Sequence, residues 1–155
     1  MEIKRFLIGS KAIFDGYKDY DNYTTDIDIL VIEDMLPDDK YECSIKDGDI
    51  HYIKWKNLTK AELMDYHRYC HMGTFIQKFL VPEYSEYMGI TIEDLRELGR
   101  LLKYMDDKHS YEAFVWQAYI DNNGFYMTPE QKEAAYEEYK RKRVPGYVVK
   151  EPNAE

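Results

Sequence analysis

The 155-residue chain predicts an α+β protein, with a small mixed β-sheet followed by a helical lobe. Three observations carry that class. Short apolar, β-branched runs fill the first third of the chain (IKRFLI, IDILVI and DIHYIKW). Beyond Trp55 the pattern changes to capped helical periodicity, opened at Thr59-Lys60-Ala61-Glu62 and again at Thr128-Pro129-Glu130-Gln131. The length suits one domain that buries a real core without staples.

Taken in order, Ile3–Ile8 reads as a strand that enters a turn at Gly9-Ser10. Lys11–Thr25 holds one helical turn and then a polar loop rich in Asp, Tyr and Thr. Ile27–Ile32 is apolar throughout, which predicts a strand buried on both faces. A loop at Asp34–Asp39 leads to a short strand at Tyr41–Ile45, a turn at Lys46–Asp49 and a strand at Asp49–Trp55. The box at Thr59 opens a helix through Leu63–Met72. Phe75–Leu80 is a short helix or strand ended by Pro82. Thr91 starts a helix running to about Met105. Ser110–Ile120 forms another, closed by Asn122-Asn123-Gly124. Thr128 caps the last, with proline at its first position and positive charge at its end, Lys140–Arg143. The organisation is a core sheet over residues 1–57, a helical portion over 58–145 packed on it and a tail over 146–155, all in one structural domain.

The formal net charge of −9 excludes broad, nonspecific nucleic-acid binding, which needs a basic surface. It leaves room for a nucleic-acid end in a local pocket, and bound divalent cations would offset part of the acidity. Cys43 and Cys70 form no CxxC motif, so reduced thiols and a cytosol-like compartment are expected. The apolar run after Met1–Arg5 is too short for a signal peptide, and no run approaches membrane-spanning length. The sixteen tyrosines suit half-buried faces and stacking surfaces.

The chemistry concentrates between Phe6 and Asp34. Asp26 and Asp28 are two apart at the start of a strand, so both carboxylates project from one face. Two like charges that close need neutralisation, and Mg²⁺ favours one or two carboxylates together with phosphate oxygens. The Gly9-Ser10 turn offers backbone N–H groups and a hydroxyl to an anion such as a triphosphate, and Lys11 adds positive charge. A phosphate cradle beside metal-binding carboxylates is a phosphoryl-transfer constellation.

This arrangement, an apolar strand ending in Gly9-Ser10, a loop, then Asp26-x-Asp28 on the next apolar strand, resembles the polymerase-β-like nucleotidyltransferase superfamily. Thr25 falls where that family often has Ser, and Lys11 stands in place of a frequent arginine. The run from Asp49 through the helix after Thr59 is similar to a phage and bacterial branch associated with RNA-repair operons. The resemblance implies a palm-type sheet and a third carboxylate from a later strand, best matched by Asp49, with Asp47 the alternative if the register slips. It implies that Asp26, Asp28 and Asp49 are catalytic and hold Mg²⁺ or Mn²⁺, and that Gly9, Ser10, Lys11 and Thr25 bind the nucleoside triphosphate. Asp49 could also act as base, and the plainer alternative is a turn residue beside Gly48.

Other residues read more plainly. His51 shares a strand face with Asp49 and reads as packed, with a phosphate or metal contact the alternative. His67 and His71 stand at i, i+4 around Cys70, without the partners a zinc site needs, so a helix face is expected. Arg100, Lys103, Lys108 and the Lys140–Arg143 run read as solvated helix ends that could also reach a triphosphate or an RNA phosphate. The aromatics of Tyr111–Tyr119 read as a core face.

The expected activity is transfer of a nucleoside monophosphate from a triphosphate to a hydroxyl, with release of pyrophosphate. The acceptor would be an RNA end, a protein or a small molecule. The setting would be cytoplasmic, in a host cell if phage-encoded, without a membrane partner. The alternative is an inactive nucleotidyltransferase-like domain that binds nucleotide or a partner protein, in an antitoxin or inhibitor role. Sugar-nucleotide transferases fit less well, because their Asp-x-Asp follows a longer nucleotide-binding half. Haloacid-dehalogenase phosphatases fit less well because Gly9-Ser10, not a nucleophile, ends the first strand.

Overall fold

A computed structural model describes residues 4–20, 26–33, 36–37, 42–66 and 72–143. The predicted α+β class holds, with a four-stranded mixed sheet and a helical region. Strand β1 (Arg5–Ile8) leads directly into helix α1 (Gly9–Phe14). Three further strands follow: β2 (Ile27–Glu33), β3 (Glu42–Asp47) and β4 (Ile50–Lys56). The sheet order is β1-β2-β4-β3. Only the central pair β2–β4 is parallel; β1 and β3 run antiparallel to their neighbours. The β3–β4 hairpin closes through Gly48-Asp49, with positive φ only at the glycine, as a Gly-first two-residue turn requires.

Alternation along the strands sets the two faces. Ile8, Leu30, Ile32, Ile53 and Trp55 point inward and are buried in the core. The outward row Leu7, Ile29, Tyr52 and Ile45 crosses all four strands in register. Its members are half-buried except Ile45, which is 48% exposed. The expectation that β2 is buried on both faces therefore holds only for its second half, Leu30–Ile32. A continuous apolar run cannot by itself distinguish a covered outer face from a half-covered one.

The helices are α2 (Lys60–Asp65), α3 (Met72–Phe79), α4 (Pro82–Met88), α5 (Ile92–Leu98), α6 (Ser110–Asn122) and α7 (Pro129–Arg143). A 3₁₀ segment at Gly99–Tyr104 continues α5, and a 3₁₀ turn at Asp107–His109 precedes α6. The predicted caps form. Thr59 and Glu62 exchange bonds of 3.1 and 3.2 Å, and Thr128 and Gln131 bonds of 2.9 and 3.2 Å. Thr91 pairs in the same way with Asp94. Pro82 does not merely end the preceding segment, which is helical; it occupies the first turn of α4. The helix expected from Thr91 to Met105 tightens to 3₁₀ at Gly99. Among the described residues no helix is long and apolar enough to cross a membrane. Thr25, His67, Cys70, His71 and the tail over 146–155 lie outside the described residues.

Tyrosine organises the junction of sheet and helices. The fully buried ring of Phe14 is ringed by Tyr17, Tyr20, Tyr111, Tyr136 and Tyr139, with centroids 5.2–6.4 Å away. These side chains come from α1, the stretch after it, α6 and α7, so the cluster seats the end of α7 against the start of the sheet. Buried hydroxyls are satisfied as they must be: Trp55 donates to Tyr84 at 3.0 Å, and Tyr119 donates to the Leu80 carbonyl at 2.8 Å.

Candidate functional site

Strand register builds the site. Asp28 is the second residue of β2 and lies opposite Ile8 of β1 and His51 of β4. Its Oδ1 is 3.2 Å from His51 Nδ1. Its other oxygen packs on the backbone of Gly9, where a Cβ would stand only 2.5 Å from Oδ2. Gly9 also has φ +74°, so glycine is required there twice, by conformation and by close approach. Burial pushes the Asp28 carboxyl above its ordinary range. The charge of Asp26 pushes the same way, while His51 and Lys108 pull it back.

Asp26 and Asp28 line a cleft of about 570 Å³, a volume within the range of small-molecule sites. The sheet forms one wall, with His51, Ile53, Ser44 and Glu42 beside the aspartates. Glu42 is held by the ammonium of Lys78 at 3.0 Å, a lysine only 1% exposed and stacked 4.3 Å from the Trp55 ring. Ser10 and Gln77 also border the cleft. The facing wall comes from the 3₁₀ turn, α6 and the end of α7, and carries Lys108, His109, Tyr111, Tyr139, Lys142 and Arg143. One wall is thus anionic and the other cationic.

The expected residues separate into three groups. Gly9, Ser10, Asp26 and Asp28 come together at the cleft. The Ser10 hydroxyl is 2.7 Å from the Tyr20 hydroxyl and donates to Tyr139 at 3.4 Å. Lys11 instead pairs with Asp15, one helical turn on, at 2.9 Å, and is not among the residues lining the cleft. Asp49 sits exposed in the hairpin turn, where its carbonyl accepts from the Ile27 N–H at 2.8 Å. Neither Asp49 nor Asp47 lines the cleft, and among the described residues no three His, Cys, Asp or Glu side chains are gathered to hold a metal ion. His51 occupies the position beside Asp28.

The donor set present suits a hard cation. Two carboxylates lining one cleft, Asp28 on β2 and Asp26 just before that strand begins, the former crowded against a glycine and desolvated, could supply the one or two protein oxygens that Mg²⁺ takes when phosphates complete its shell. The sequence reads Lys108, Lys142 and Arg143 first as solvated helix ends, with a triphosphate or RNA-phosphate contact the alternative, and does not single out Tyr139. For Lys142 and Arg143 the signal is positive charge at a helix C-terminus, which the dipole alone explains. Comparison of the chain with protein-family models, with curated proteins and with solved structures finds no significant match.

Proposed function

We propose that this chain is a metal-dependent nucleotidyltransferase with a polymerase-β-like palm, transferring a nucleoside monophosphate from a triphosphate to a hydroxyl acceptor. The observation that supports it is the shared cleft: Ser10, Asp26 and Asp28 line one cavity whose facing wall carries Lys108, Lys142 and Arg143. Carboxylates for a cation and cations for phosphate oxygens are what a metal–triphosphate needs. The four-stranded mixed sheet with helices on its inner face is compatible with the palm.

Asp26 and Asp28 would hold Mg²⁺ or Mn²⁺, which supplies charge neutralisation on the phosphates and a lower pKa for the attacking hydroxyl. Gly9 and His51 fix the Asp28 carboxylate from two sides, so its oxygens are preorganised. The acceptor hydroxyl gives up its proton to solvent, its oxygen bonds to the α-phosphorus, the bond between that phosphorus and the oxygen bridging to the β-phosphorus breaks, and pyrophosphate leaves. The acceptor is an RNA end, a protein hydroxyl or a small molecule.

The place of Asp49 outside the cleft favours a second reading, an inactive relative that binds nucleotide or a partner protein. One experiment separates the two. The protein is incubated with Mg²⁺ or Mn²⁺ and each α-labelled triphosphate, with RNA or lysate as acceptor. Label transfer that disappears in Asp28→Asn supports the enzyme. Nucleotide binding with no transfer under any metal supports the second reading.

A further inference from the structure

We propose that the phosphate grip of this cleft is its helical wall, Arg143 with Lys142 and Lys108, rather than the Gly9-Ser10 turn, so that a polyphosphate lies against the end of α7. The proposal rests on the nucleotide reading above and specifies where the ligand's phosphates go. Ser10 is poorly placed to serve them, because its hydroxyl is already engaged by Tyr20 at 2.7 Å and by Tyr139 at 3.4 Å. The Gly9 backbone is packed on a carboxylate, and α1 has only six residues.

The helical wall is the opposite case. The Arg143 guanidinium is stacked 4.4 Å from the Tyr139 ring and 5.4 Å from the Tyr111 ring. One N–H donates to the Lys108 carbonyl at 2.9 Å, which ties the end of α7 to the 3₁₀ turn. The planar fork is therefore preorganised, with its hydrogen bond made to a neutral carbonyl; the buried Glu112, whose charged form it favours, makes no hydrogen bond to it. Lys142 reaches Asp107 at 3.4 Å, but that aspartate is 90% exposed, so the pair is weak and exchangeable. In a chain of net charge −9, three cations on one concave wall are a local exception. Neutralisation of Asp28 accounts in part for Lys108, which lowers that carboxyl's pKa, but not for Arg143 and Lys142, which make their contacts with Lys108 and Asp107. The anionic sheet wall repels bare phosphate, which leaves the helical wall as the side a polyphosphate must take.

The test titrates the full-length chain with inorganic tripolyphosphate in EDTA at low salt, by calorimetry. The wild type binds, and the affinity falls as salt rises. Lys142→Ala and Lys108→Ala each weaken binding, and Arg143→Ala weakens it by roughly tenfold or more. Arg143→Lys, which keeps the charge and loses the fork, lies between. Asp28→Asn acts in the opposite direction and tightens metal-free binding, because it removes repulsion from the facing wall. Lys103→Ala, a change of equal charge outside the cleft, shifts affinity less than twofold. Circular dichroism identifies any variant that has lost its fold, and the lysine variants, whose side chains do not stack on the tyrosines, keep the question answerable if Arg143→Ala is one of them. No binding by the wild type, or equal losses in Lys103→Ala and Lys142→Ala, overturns the proposal. Tripolyphosphate binding that depends on Lys142 and Arg143 without any label transfer sinks the transferase reading and leaves this one standing. Label transfer that is insensitive to Lys142→Ala and Lys108→Ala does the reverse.

Discussion

Asp28 and His51 face each other across the parallel β2–β4 pair, with Oδ1 and Nδ1 3.2 Å apart. That contact, with Gly9 behind the other oxygen, immobilises a carboxyl that burial and Asp26 both push toward protonation. A divalent cation would reverse that push. Asp28→Asn should therefore abolish label transfer and stabilise the metal-free protein slightly, by on the order of 1 kcal/mol or less, seen as a small rise in melting temperature. Thermal melts with and without Mg²⁺ and a triphosphate check it. The wild type gains stability from the pair of ligands and the variant gains almost none. Equal shifts in both would remove the Asp pair from the nucleotide site.

Gly9→Ala tests the backing of the same carboxylate. An alanine at φ +74° carries the left-handed penalty, about 1–2 kcal/mol, and its Cβ would meet Asp28 Oδ2 at 2.5 Å. Denaturant unfolding should show a loss at least that large. Transfer should also fall at temperatures where the variant is fully folded, because the carboxylate must move. A destabilised variant with unchanged turnover would separate Gly9 from the chemistry.

What could be read from the sequence was local. The strands at Arg5–Ile8, Ile27–Glu33 and Ile50–Lys56 and the caps at Thr59, Thr91 and Thr128 depend on residues within a few positions of one another. The meeting of Gly9-Ser10 with Asp26 and Asp28 reaches only across one loop, since antiparallel strands that follow one another bring their ends together. Helix α4 was hidden because a proline that stops one element can start the next, and Pro82 does both. That these cations share a cleft with Asp26 and Asp28 was hidden for a different reason. Ser10 and Tyr139 meet across nearly the whole chain, through a tyrosine cluster whose members look like ordinary core residues one at a time. Which β4 residue stands beside Asp28 depends on register. Register gave that place to His51 and left Asp49 in the turn.

Lys78 is a buried cation beneath the sheet wall, paired with Glu42 at 3.0 Å and lying over Trp55. Lys78→Ala removes the stacked stem and leaves Glu42 without that partner, which should cost about 3 kcal/mol or more. Lys78→Met keeps most of the volume and should cost clearly less. Urea unfolding of the two variants beside the wild type measures the difference. Equal losses would mean that the charge, not the packed stem, carries the contribution.

Glu112 gives a prediction in pH. Its side chain in α6 is 0% exposed, and neither carboxylate oxygen has a hydrogen-bond partner among the described residues. Burial raises its pKa well above the ordinary 4.5, with only partial relief from Arg143 and Lys78. A carboxyl raised on folding is protonated in both states below the unfolded pKa, so its contribution is fully present there. Above that pKa the unfolded chain ionises while the folded one holds its proton. Stability is then lost as pH rises toward the folded value, by up to about 1.4 kcal/mol per pH unit. Glu112→Gln has nothing to ionise and escapes that loss. Chemical denaturation of both proteins from pH 4 to pH 8 should give curves that differ by a near-constant offset at the acid end. The curves should then diverge in favour of the variant as pH rises past the unfolded value. Parallel curves across the whole range would mean that Glu112 has the same pKa folded and unfolded, with Arg143 and Lys78 offsetting its burial.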